Sequence, residues 1–471
     1  MGGTSRSQGL ELARAKMEAA GVDPVAIDNF SHYYRLLEHG ETGLIPETSI
    51  EPVTIERLAD AEVDETVAAD AIRKTAVIKL NGGLGTSMGM DRAKSLLCVR
   101  RGLSFLDIIA RQVLHLRKEY DAALPLVFMN SFRTSEDTCE ALARYEDLPV
   151  DGIPLEFLQN KEPKLLVKDL TPASYPKDPD LEWCPPGHGD LYPALRGSGV
   201  LDLLIEQGFR YAFVSNSDNL GAVPDAKVAG WFAQSGAPFA IEAVRRTPSD
   251  RKGGHFARRK ADGRIVLRET AQTPDADQEA LADLTRHKYC STNNLWFDLV
   301  AMRDTLDQRD GILGLPLIRN VKHLDPSDKS TPEVVQIECA MGAAVEVFDD
   351  SRLIEVGRDR FVPVKTTNDL LVLRSDVYDI GSDFVLDQVA AEVPFVDLDG
   401  QFYKLVGEFD KRFPDGAPSL AKATSVTIDG DFTFGRDVQL VGEVRLESPA
   451  AERVPAGEVI TGSEAASGSG D

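Results

Sequence analysis

The sequence predicts an α/β fold with a mixed, mainly parallel sheet, followed by a small β-solenoid. Apolar, strand-like segments alternate with helix-like segments over residues 71–375, a pattern typical of a sheet covered by helices. Polar loops follow two of these strands, after Leu80 and after Val214, and open α/β sheets bind ligands at such strand ends. Beyond residue 423, short β-like segments punctuated by Asp and Gly indicate stacked coils, because each is too short to form a core alone.

Four regions follow from these changes of pattern. Residues 1–70 are predicted to form a helical extension, with helices near 10–20 and 30–37. The core, 71–375, has predicted strands at 76–80, 124–129 and 211–214 and helices at 105–116, 136–145 and 201–207. Region 376–462 has a helix within 399–413 and strands at 425–428, 432–434, 438–441 and 444–446, and the tail 463–471 is predicted to be disordered.

The composition restricts the classes of partner. Acidic residues outnumber basic ones, 76 to 52, and the net charge is −24, which disfavours nucleic acid and anionic membranes as partners. No apolar stretch approaches the roughly 20 residues of a membrane helix, and the N-terminus lacks the pattern of a signal peptide. The five cysteines are scattered, which fits reduced thiols and excludes a zinc-finger spacing. We therefore expect a cytoplasmic protein.

The most informative motif is the glycine-rich run at 80–89, which follows a predicted buried strand. Glycines permit close approach of the backbone to a ligand, and a strand followed by a glycine loop directs N–H groups at phosphates. The run matches neither the P-loop nor the Rossmann fingerprint, because its glycines and lysine are wrongly spaced. Lys94, five residues after Gly89, would supply positive charge to the phosphates. The alternatives are a tight turn without a ligand and a solvated surface lysine.

Two further loops carry candidate ligand-binding residues. The run at 185–190 holds His188 between two glycines, where little side-chain shielding is expected, and the alternative is a rigid turn with an exposed histidine. The run at 214–220 ends a buried strand in a cluster of oxygen donors that includes Asp218. A carboxylate beside phosphates is suited to hold Mg²⁺, and the alternative is that these side chains merely cap a helix.

Two later segments complete the set. Asn293 and Asn294 precede an apolar run and are suited to fix sugar hydroxyls, although a turn would also explain them. Lys365 follows the apolar residues 361–364, and a half-buried lysine at the end of a strand needs a counter-charge. Either a ligand phosphate or an internal aspartate would provide it. Together the motifs indicate phosphoryl chemistry with a sugar-like partner.

At this point a family resemblance is evident. The chain resembles the eukaryotic-type UDP-glucose pyrophosphorylases in a series of motifs that run in the family's order. They are KLNGGLGTSMG at 79–89, PLVFMNSFRTSEDT at 125–138, PPGHGDLY at 185–192, FVSNSDNLGA at 213–222, STNNLW at 291–296, QIECAMGAA at 336–344 and RFVPVKTTNDL at 360–370. The resemblance implies a nucleotidyltransferase core of the GT-A type, an N-terminal extension and a C-terminal left-handed β-helix.

The resemblance also implies roles for individual residues. The nucleotide contacts would be Leu80, Gly82, Gly83, Lys94, Gln159, Gly187, Asp218 and Lys365, with Gln159 at the uracil edge and Asp218 also holding Mg²⁺. Further substrate contacts would be His188, Asn216, Ser217, Glu269, Asn293 and Asn294, and Gly82 and Gly83 would touch both substrates. Lys94 and Lys365 would be the catalytic pair. The family's proline before this lysine is Ala93 here, from which we expect a looser approach of Lys94.

The implied reaction joins UTP to glucose 1-phosphate by direct, Mg²⁺-assisted displacement at the α-phosphorus, with release of pyrophosphate. One alternative is a UDP-sugar pyrophosphorylase that uses another hexose 1-phosphate. A second is a non-catalytic UDP-sugar sensor, for which the joint presence of Lys94, Asp218 and Lys365 would be unnecessary. The C-terminal coil offers a surface for self-association.

Overall fold

A computed structural model describes residues 4–462 of the chain. Its centre is an eight-stranded mixed sheet, as predicted. In chain order the strands are β1 (Glu56–Arg57), β2 (Thr75–Asn81), β3 (Leu126–Asn130), β4 (Glu156–Leu158), β5 (Tyr211–Asn216), β6 (Phe239–Arg245), β7 (Tyr289–Asp298) and β8 (Arg352–Glu355). Their order across the sheet is β1-β8-β6-β7-β5-β2-β3-β4. Only β7 runs antiparallel to its neighbours, so the sheet is mainly parallel.

The register of the parallel strands brings their carboxyl ends to one edge. Leu80 of β2 lies opposite Asn216 of β5 and opposite Met129 of β3, and Asn130 lies opposite Leu158 of β4. The loops after β2, β3, β4 and β5 therefore start side by side. This edge is where open α/β sheets bind ligands.

Both faces of the sheet are buried, which explains its apolar strands. Successive residues of a strand point to opposite faces, so Val77 packs into one hydrophobic core while Ala76 and Ile78 pack into the other. The first core includes Phe105 from the helix Phe105–Tyr120, which begins with a capping box between Ser104 and Asp107. The N-terminal helices pack on the second core.

Every predicted helix has an observed counterpart, but the two N-terminal helices begin six residues earlier than predicted, at Thr4 and Pro24, and the helix predicted within 399–413 is two short ones. The observed helices are Thr4–Ala19, Pro24–Glu38, Glu65–Arg73, Phe105–Tyr120, Ser135–Leu142, Leu191–Gly197, Val200–Glu206, Ala226–Ser235, Gln278–Ala282, Leu299–Gln308, Thr367–Arg374, Gly400–Tyr403 and Val406–Arg412. Smaller sheets use the strands Ile50–Pro52, Cys98–Arg100, Leu103–Ser104, Glu162–Pro163, Leu165–Leu166, Trp183–Cys184, His255–Arg259, Ile265–Arg268, Ile318–His323, Glu333–Glu338, Tyr378–Ile380 and Leu386–Gln388. Among the described residues, no helix has the length and apolarity that crossing a membrane requires.

The C-terminal region stacks its strands in parallel. One sheet holds Phe395–Leu398, Ser419–Asp429, Gln439–Glu447 and Val459–Thr461, in that order, and Phe432–Phe434 pairs with Glu452–Val454. Ser419 lies opposite Gln439, which lies opposite Val459, and two register shifts, between Ser419 and Lys422 and between Ala423 and Ser425, interrupt the pairing of the two long strands. The predicted strands 438–441 and 444–446 are one strand, in which Gly442 adopts a φ of 73°. The predicted tail 463–471 lies outside the described residues.

Candidate active site

A cavity of about 310 Å³ opens at the carboxyl ends of β2 and β5. It collects almost all of the predicted nucleotide contacts, although they come from five separate stretches of the chain. Its lining residues are Leu80, Asn81, Gly82, Gly83, Lys94, Ser95, Met129, Gln159, Pro185, Gly187, His188, Asn216, Ser217 and Asp218. Of the predicted site residues, Glu269, Asn293, Asn294 and Lys365 lie outside this lining.

The glycine loop forms one wall of the cavity. Its shape is fixed by hydrogen bonds to its carbonyls: the Lys94 N–H donates to Gly83 O at 3.0 Å, and Ser131 Oγ donates to Gly82 O at 3.0 Å. Gly85 adopts a φ of 68°, which only glycine reaches without strain. A Cβ added at Gly83 would meet no protein atom within 4 Å, so the space beside Gly83 is open to a ligand.

Lys94 and Asp218 meet in this wall. Lys94 Nζ lies 2.7 Å from Asp218 Oδ2 and also donates to the carbonyl of Val364. The two side chains are largely buried, with exposed fractions of 16% and 25%. The Val364 N–H in turn donates to Asp218 O at 3.1 Å. These bonds connect the glycine loop, the end of β5 and the segment that carries Lys365.

Ala93, which precedes Lys94, has a well-defined position, and the looser approach of Lys94 that we expect from the missing proline stays a prediction. Ala93 is fully buried, and its φ of −52° lies in the range that proline adopts. Its N–H, which a proline would lack, donates to Asp137 Oδ2 at 3.3 Å, and Arg92 Nη2 lies 3.4 Å from Asp137 Oδ1. A polar contact with Asp137 therefore anchors the residue before Lys94.

His188 is more enclosed than its flanking glycines predict. The segment after Cys339 covers the ring, and the Met341 N–H donates to His188 Nδ1 at 2.9 Å. Burial lowers the pKa of His188 to about 4, so the imidazole is neutral at physiological pH. Because Nδ1 accepts a hydrogen bond, the proton resides on Nε2, and the side chain presents an uncharged donor.

The amide of Gln159 is oriented by a backbone carbonyl. Gln159 Nε2 donates to Gly187 O at 3.0 Å, which leaves Oε1 as a free acceptor on the other side of the amide. A Cβ added at Gly82 would lie 2.7 Å from Gln159 Oε1, so this glycine is required for the amide to approach the loop. Gly82 and Gln159 both line the cavity.

Two hydroxyl groups of the lining lack a hydrogen-bond partner among the described residues. Ser95 Oγ and Ser217 Oγ are both buried, and their residues are 2% and 4% exposed. Buried polar groups are almost always paired, so unpaired ones in a cavity wall indicate that a ligand or water completes them. The sequence singled out Ser217 but not Ser95, which only its adjacency to Lys94 would have suggested.

Lys365 is not the half-buried lysine at a strand end that we predicted. The side chain is exposed, and residues 361–364 form no strand beyond an isolated bridge between Pro363 and Asn219. Burial raises the pKa of the Glu269 carboxyl group, and the positive charge of Lys365 works against this rise. Lys365 is thus near enough to Glu269 to influence its charge, and it directly follows Val364, whose carbonyl accepts a hydrogen bond from Lys94.

The two asparagines of β7 have different surroundings. Residues 292–294 bulge out between the paired positions Ser291 and Leu295, and Asn293 adopts a φ of 59° in this bulge. Bulges beside active sites redirect side chains. Asn294 is fully buried, and its amide donates to Glu242 Oε2 at 3.0 Å, so it has protein partners in place of an open face. Their predicted contacts with hexose hydroxyls remain predictions.

A buried lysine lies below the site, and the pattern of the strand did not identify it as special. Lys79 of β2 is 1% exposed, and its Nζ donates to Ser215 Oγ and to Ala222 O, both at 2.7 Å. Burial lowers its pKa to about 7. Lys79 thereby ties β2 to the loop that follows Asp218.

The donor set limits the kind of metal ion that the cavity accepts. Asp218 is the single carboxylate among its lining residues, and no described part of the chain gathers three or more His, Cys, Asp or Glu side chains into a metal-binding group. Mg²⁺ is commonly held by one or two carboxylates, with phosphates and water as the other ligands. The site therefore fits a magnesium ion that arrives with a nucleotide.

Comparison with known proteins identifies relatives over nearly the whole chain. The family model of UTP–glucose-1-phosphate uridylyltransferase matches residues 27–441. The UTP–glucose-1-phosphate uridylyltransferase of Astragalus penduliflorus is 35% identical, over 96% of this chain and 97% of its own. The corresponding protein of Pyrus pyrifolia is 37% identical, over 85% of this chain and 83% of its own.

Solved structures give the same result. A variant of UDP-glucose pyrophosphorylase from Leishmania major, in complex with UDP-glucose, superimposes with a TM-score of 0.90 at 40% identity and covers 97% of this chain and 99% of its own. The UDP-glucose phosphorylase of Trypanosoma brucei superimposes with a TM-score of 0.88 at 39% identity, over 96% and 98% of the two chains. The mixed α/β fold is therefore shared over almost all of the described residues.

Proposed function

This chain belongs to the family of UTP–glucose-1-phosphate uridylyltransferases, and we propose that its cavity at the ends of β2 and β5 is where UTP and glucose 1-phosphate react. The enzyme is a nucleotidyltransferase that forms UDP-glucose and pyrophosphate. The observation that carries the location is the convergence of the glycine loop, Lys94, Asp218, Gln159 and His188 on one cavity.

The reaction is a direct displacement. An oxygen of glucose 1-phosphate attacks the α-phosphorus of UTP, a new P–O bond forms, and the bond to the leaving pyrophosphate breaks. The attacking phosphate is already ionised near neutral pH, because its second pKa is about 6, so no general base is required. The protein's task is to align the two phosphate groups and to neutralise their charge.

Lys94 and Lys365 supply that charge in our proposal. Lys94 is held within reach of the glycine loop by Asp218 and by the Val364 carbonyl. Lys365 follows Val364 directly and, being exposed, is free to meet the transferring phosphate. Asp218 would hold Mg²⁺ when the nucleotide brings the ion, and the bound ion would add positive charge against the phosphates.

Uracil recognition rests on the oriented amide of Gln159. With Nε2 bound to Gly187 O, the free Oε1 accepts the N3–H of uracil. Cytosine presents a lone pair at that position, so the same oxygen would repel it. Leu80, Gly82 and Gly83 then line the path of the nucleotide. His188 Nε2–H, Asn216 and Ser217, which line the cavity, would donate to the sugar phosphate. Glu269, Asn293 and Asn294 are the proposed hexose contacts.

At the level of architecture, we propose a GT-A-type core and a left-handed β-helix, with the domain limits predicted above. The strand-end cavity and the parallel stacking of the C-terminal strands support this assignment. A cytoplasmic location is supported by the five cysteines, all of which are free thiols. Self-association through the C-terminal coil would use its last strand, Val459–Thr461, where Val459 is exposed.

The test is a substrate panel with pyrophosphate release as the readout. We expect turnover with UTP and glucose 1-phosphate in Mg²⁺, and little with ATP, GTP, CTP or without the metal. Galactose 1-phosphate and N-acetylglucosamine 1-phosphate are included to test for another sugar substrate. Faster turnover with either of them than with glucose 1-phosphate would establish that alternative. Binding of UDP-glucose with no pyrophosphate chemistry in either direction would instead indicate a sensor and overturn the proposal.

A further inference from the structure

The segment that carries Lys365 has little regular structure to fix its position. Between β8 and the helix Thr367–Arg374 it forms one short 3₁₀ turn, Arg358–Arg360, and one isolated bridge, from Pro363 to Asn219. Pro363 has no N–H to donate. On the C-terminal side of Lys365, its N–H donates to Asp369 Oδ2 at 2.7 Å, at the start of the helix Thr367–Arg374. On the N-terminal side, the path of the chain is set by side-chain contacts to the residues before Lys365.

Those contacts converge on a buried carboxylate in the central sheet. Glu242 of β6 is fully buried and receives Arg360 Nε at 2.7 Å and Arg360 Nη2 at 2.6 Å, a bidentate pair. Trp296 Nε1 and Asn294 Nδ2 each donate to the same carboxylate at 3.0 Å. All four hydrogen bonds are made deep in the sheet, so the position of the Arg360 main chain is closely determined.

Asn219 connects Arg360 to the catalytic wall. Its Nδ2 donates to Arg360 O at 3.1 Å, and its Oδ1 accepts the Val362 N–H at 2.9 Å. Its neighbour Asp218 accepts the Val364 N–H at 3.1 Å through its main-chain oxygen. The segment is thus fastened at every second residue, from Arg360 to Val364, onto the loop that bears Asp218.

Gly221, in the loop after β5, also shows how closely this segment packs against that loop. A Cβ added at Gly221 would lie 2.2 Å from Asp359 O and 3.0 Å from the carbonyl carbon of Arg360, so the two backbones meet without room for a side chain. Buried ion pairs are seldom the most stable way to fill a core, because desolvation offsets their attraction. The Glu242–Arg360 pair is therefore better explained by the position that it imposes on the main chain at Arg360 than by a gain in stability.

We propose that Glu242, Arg360 and Asn219 are positioning residues that set the location of Lys365 relative to Lys94 and Asp218. This inference rests on the catalytic role proposed above for Lys365. None of the three is assigned to touch a substrate: they act through the segment 360–365, and a loss of their geometry displaces the Lys365 ammonium from the transferring phosphate.

Arg360→Lys tests the proposal, because it keeps the charge and removes the bidentate geometry. We expect kcat to fall at least about tenfold, with the KM for UTP changed less than threefold, since the glycine wall is intact. The matched control is Arg412→Lys in the C-terminal region: its side chain has the same 11% exposure and also binds carboxylates, those of Asp431 and Glu408. The control should keep kcat within twofold.

A double-mutant cycle with Lys365→Ala separates positioning from a purely structural role. If Arg360 acts through Lys365, the double variant will be no more than threefold slower than Lys365→Ala alone. The proposal would be overturned if the decrease in kcat of the double variant equalled the product of the decreases in the two single variants. An unchanged kcat in Arg360→Lys would overturn it as well. Full activity of Lys365→Ala itself would instead refute the role of Lys365. Where Arg360→Lys does not fold, Asn219→Ala enters the same cycle with the same expected outcomes.

Discussion

The ammonium nitrogen of Lys94 lies 2.7 Å from Oδ2 of Asp218, although 124 residues separate the two in the chain. One residue comes from the glycine loop after β2 and the other from the loop after β5, and the parallel register of these strands brings both loops to the same edge. The contact places a cation and a carboxylate where a nucleotide and its metal would meet. Without a ligand, the Lys94 ammonium and the Asp218 carboxylate neutralise each other's charge.

Removal of the Lys94 ammonium should slow the chemical step. Lys94→Ala is expected to lower kcat by about 10²–10³, the usual effect of deleting an electrostatic group that acts on the transition state. Lys168→Ala is the control, since that side chain is 74% exposed and its nearest carboxylate, on Asp169, is 3.9 Å away. Steady-state rates decide the matter, and a near-normal kcat in Lys94→Ala would remove this lysine from the mechanism.

Asp218→Asn should change the dependence on metal. The amide still accepts a hydrogen bond from Lys94 but lacks the negative charge that attracts Mg²⁺. We expect the Mg²⁺ concentration for half-maximal rate to rise at least about tenfold. Asp60→Asn, at an exposed carboxylate paired with Arg57, is the control and should leave it unchanged. An unaltered Mg²⁺ titration of Asp218→Asn would contradict the assigned metal ligand.

Gln159→Leu should weaken the choice between pyrimidine bases. The substitution removes Oε1, the acceptor that we propose for the uracil N3–H, together with the bond from Nε2 to Gly187 O. We expect the ratio of kcat/KM for UTP to that for CTP to fall at least about tenfold, mainly through loss with UTP. Competition between the two nucleotides measures this ratio, and its persistence in the variant would show that uracil is read elsewhere.

Lys79 gives a prediction about stability and pH. Its pKa is lowered from 10.5 to about 7 by burial, so between these values the unfolded chain binds more protons than the folded one. The free energy of unfolding should therefore rise with pH in this interval, by up to about 1.4 kcal/mol per unit. Lys79→Met should lack this contribution, while Lys74→Met, at a half-exposed lysine, should keep it.

Urea unfolding at pH 7 and pH 9 measures the difference between wild type and each variant. If the free energy of unfolding of Lys79→Met rises between pH 7 and pH 9 by as much as that of the wild type, Lys79 stays charged in the folded protein.

His188 should cause no change of activity between pH 7 and pH 9, because burial holds its pKa near 4 and the ring remains neutral.

Local patterns in the sequence predicted the alternation of strands and helices and three of the eight central strands, β2, β3 and β5. They did not predict β1, β4, β6, β7 or β8, and residues such as Gln159 were assigned to the cavity from the family resemblance. The turn after Leu80 and the oxygen cluster at Asp218 both follow apolar strands, and strand ends gather by topology. Prediction was poorer for features that depend on contacts between segments far apart in the sequence. The covering of His188 by the Met341 main chain and the exposure of Lys365 depend on contacts with no local signal. Ala93 shows the same limit, since its anchor Asp137 lies on another helix.

The most direct test of the account is Gly83→Ala. The added methyl group meets no protein atom within 4 Å and enters the cavity, so the substitution changes the site and little else. Gly407→Ala in the helix Val406–Arg412 is the matched control, because its methyl group is equally unobstructed. We predict that both variants keep the thermal stability of the wild type, while Gly83→Ala alone loses at least about tenfold in UTP affinity by calorimetry and in kcat/KM. Unchanged UTP binding and turnover in a folded Gly83→Ala would contradict the assignment of this cavity as the uridylyl-transfer site.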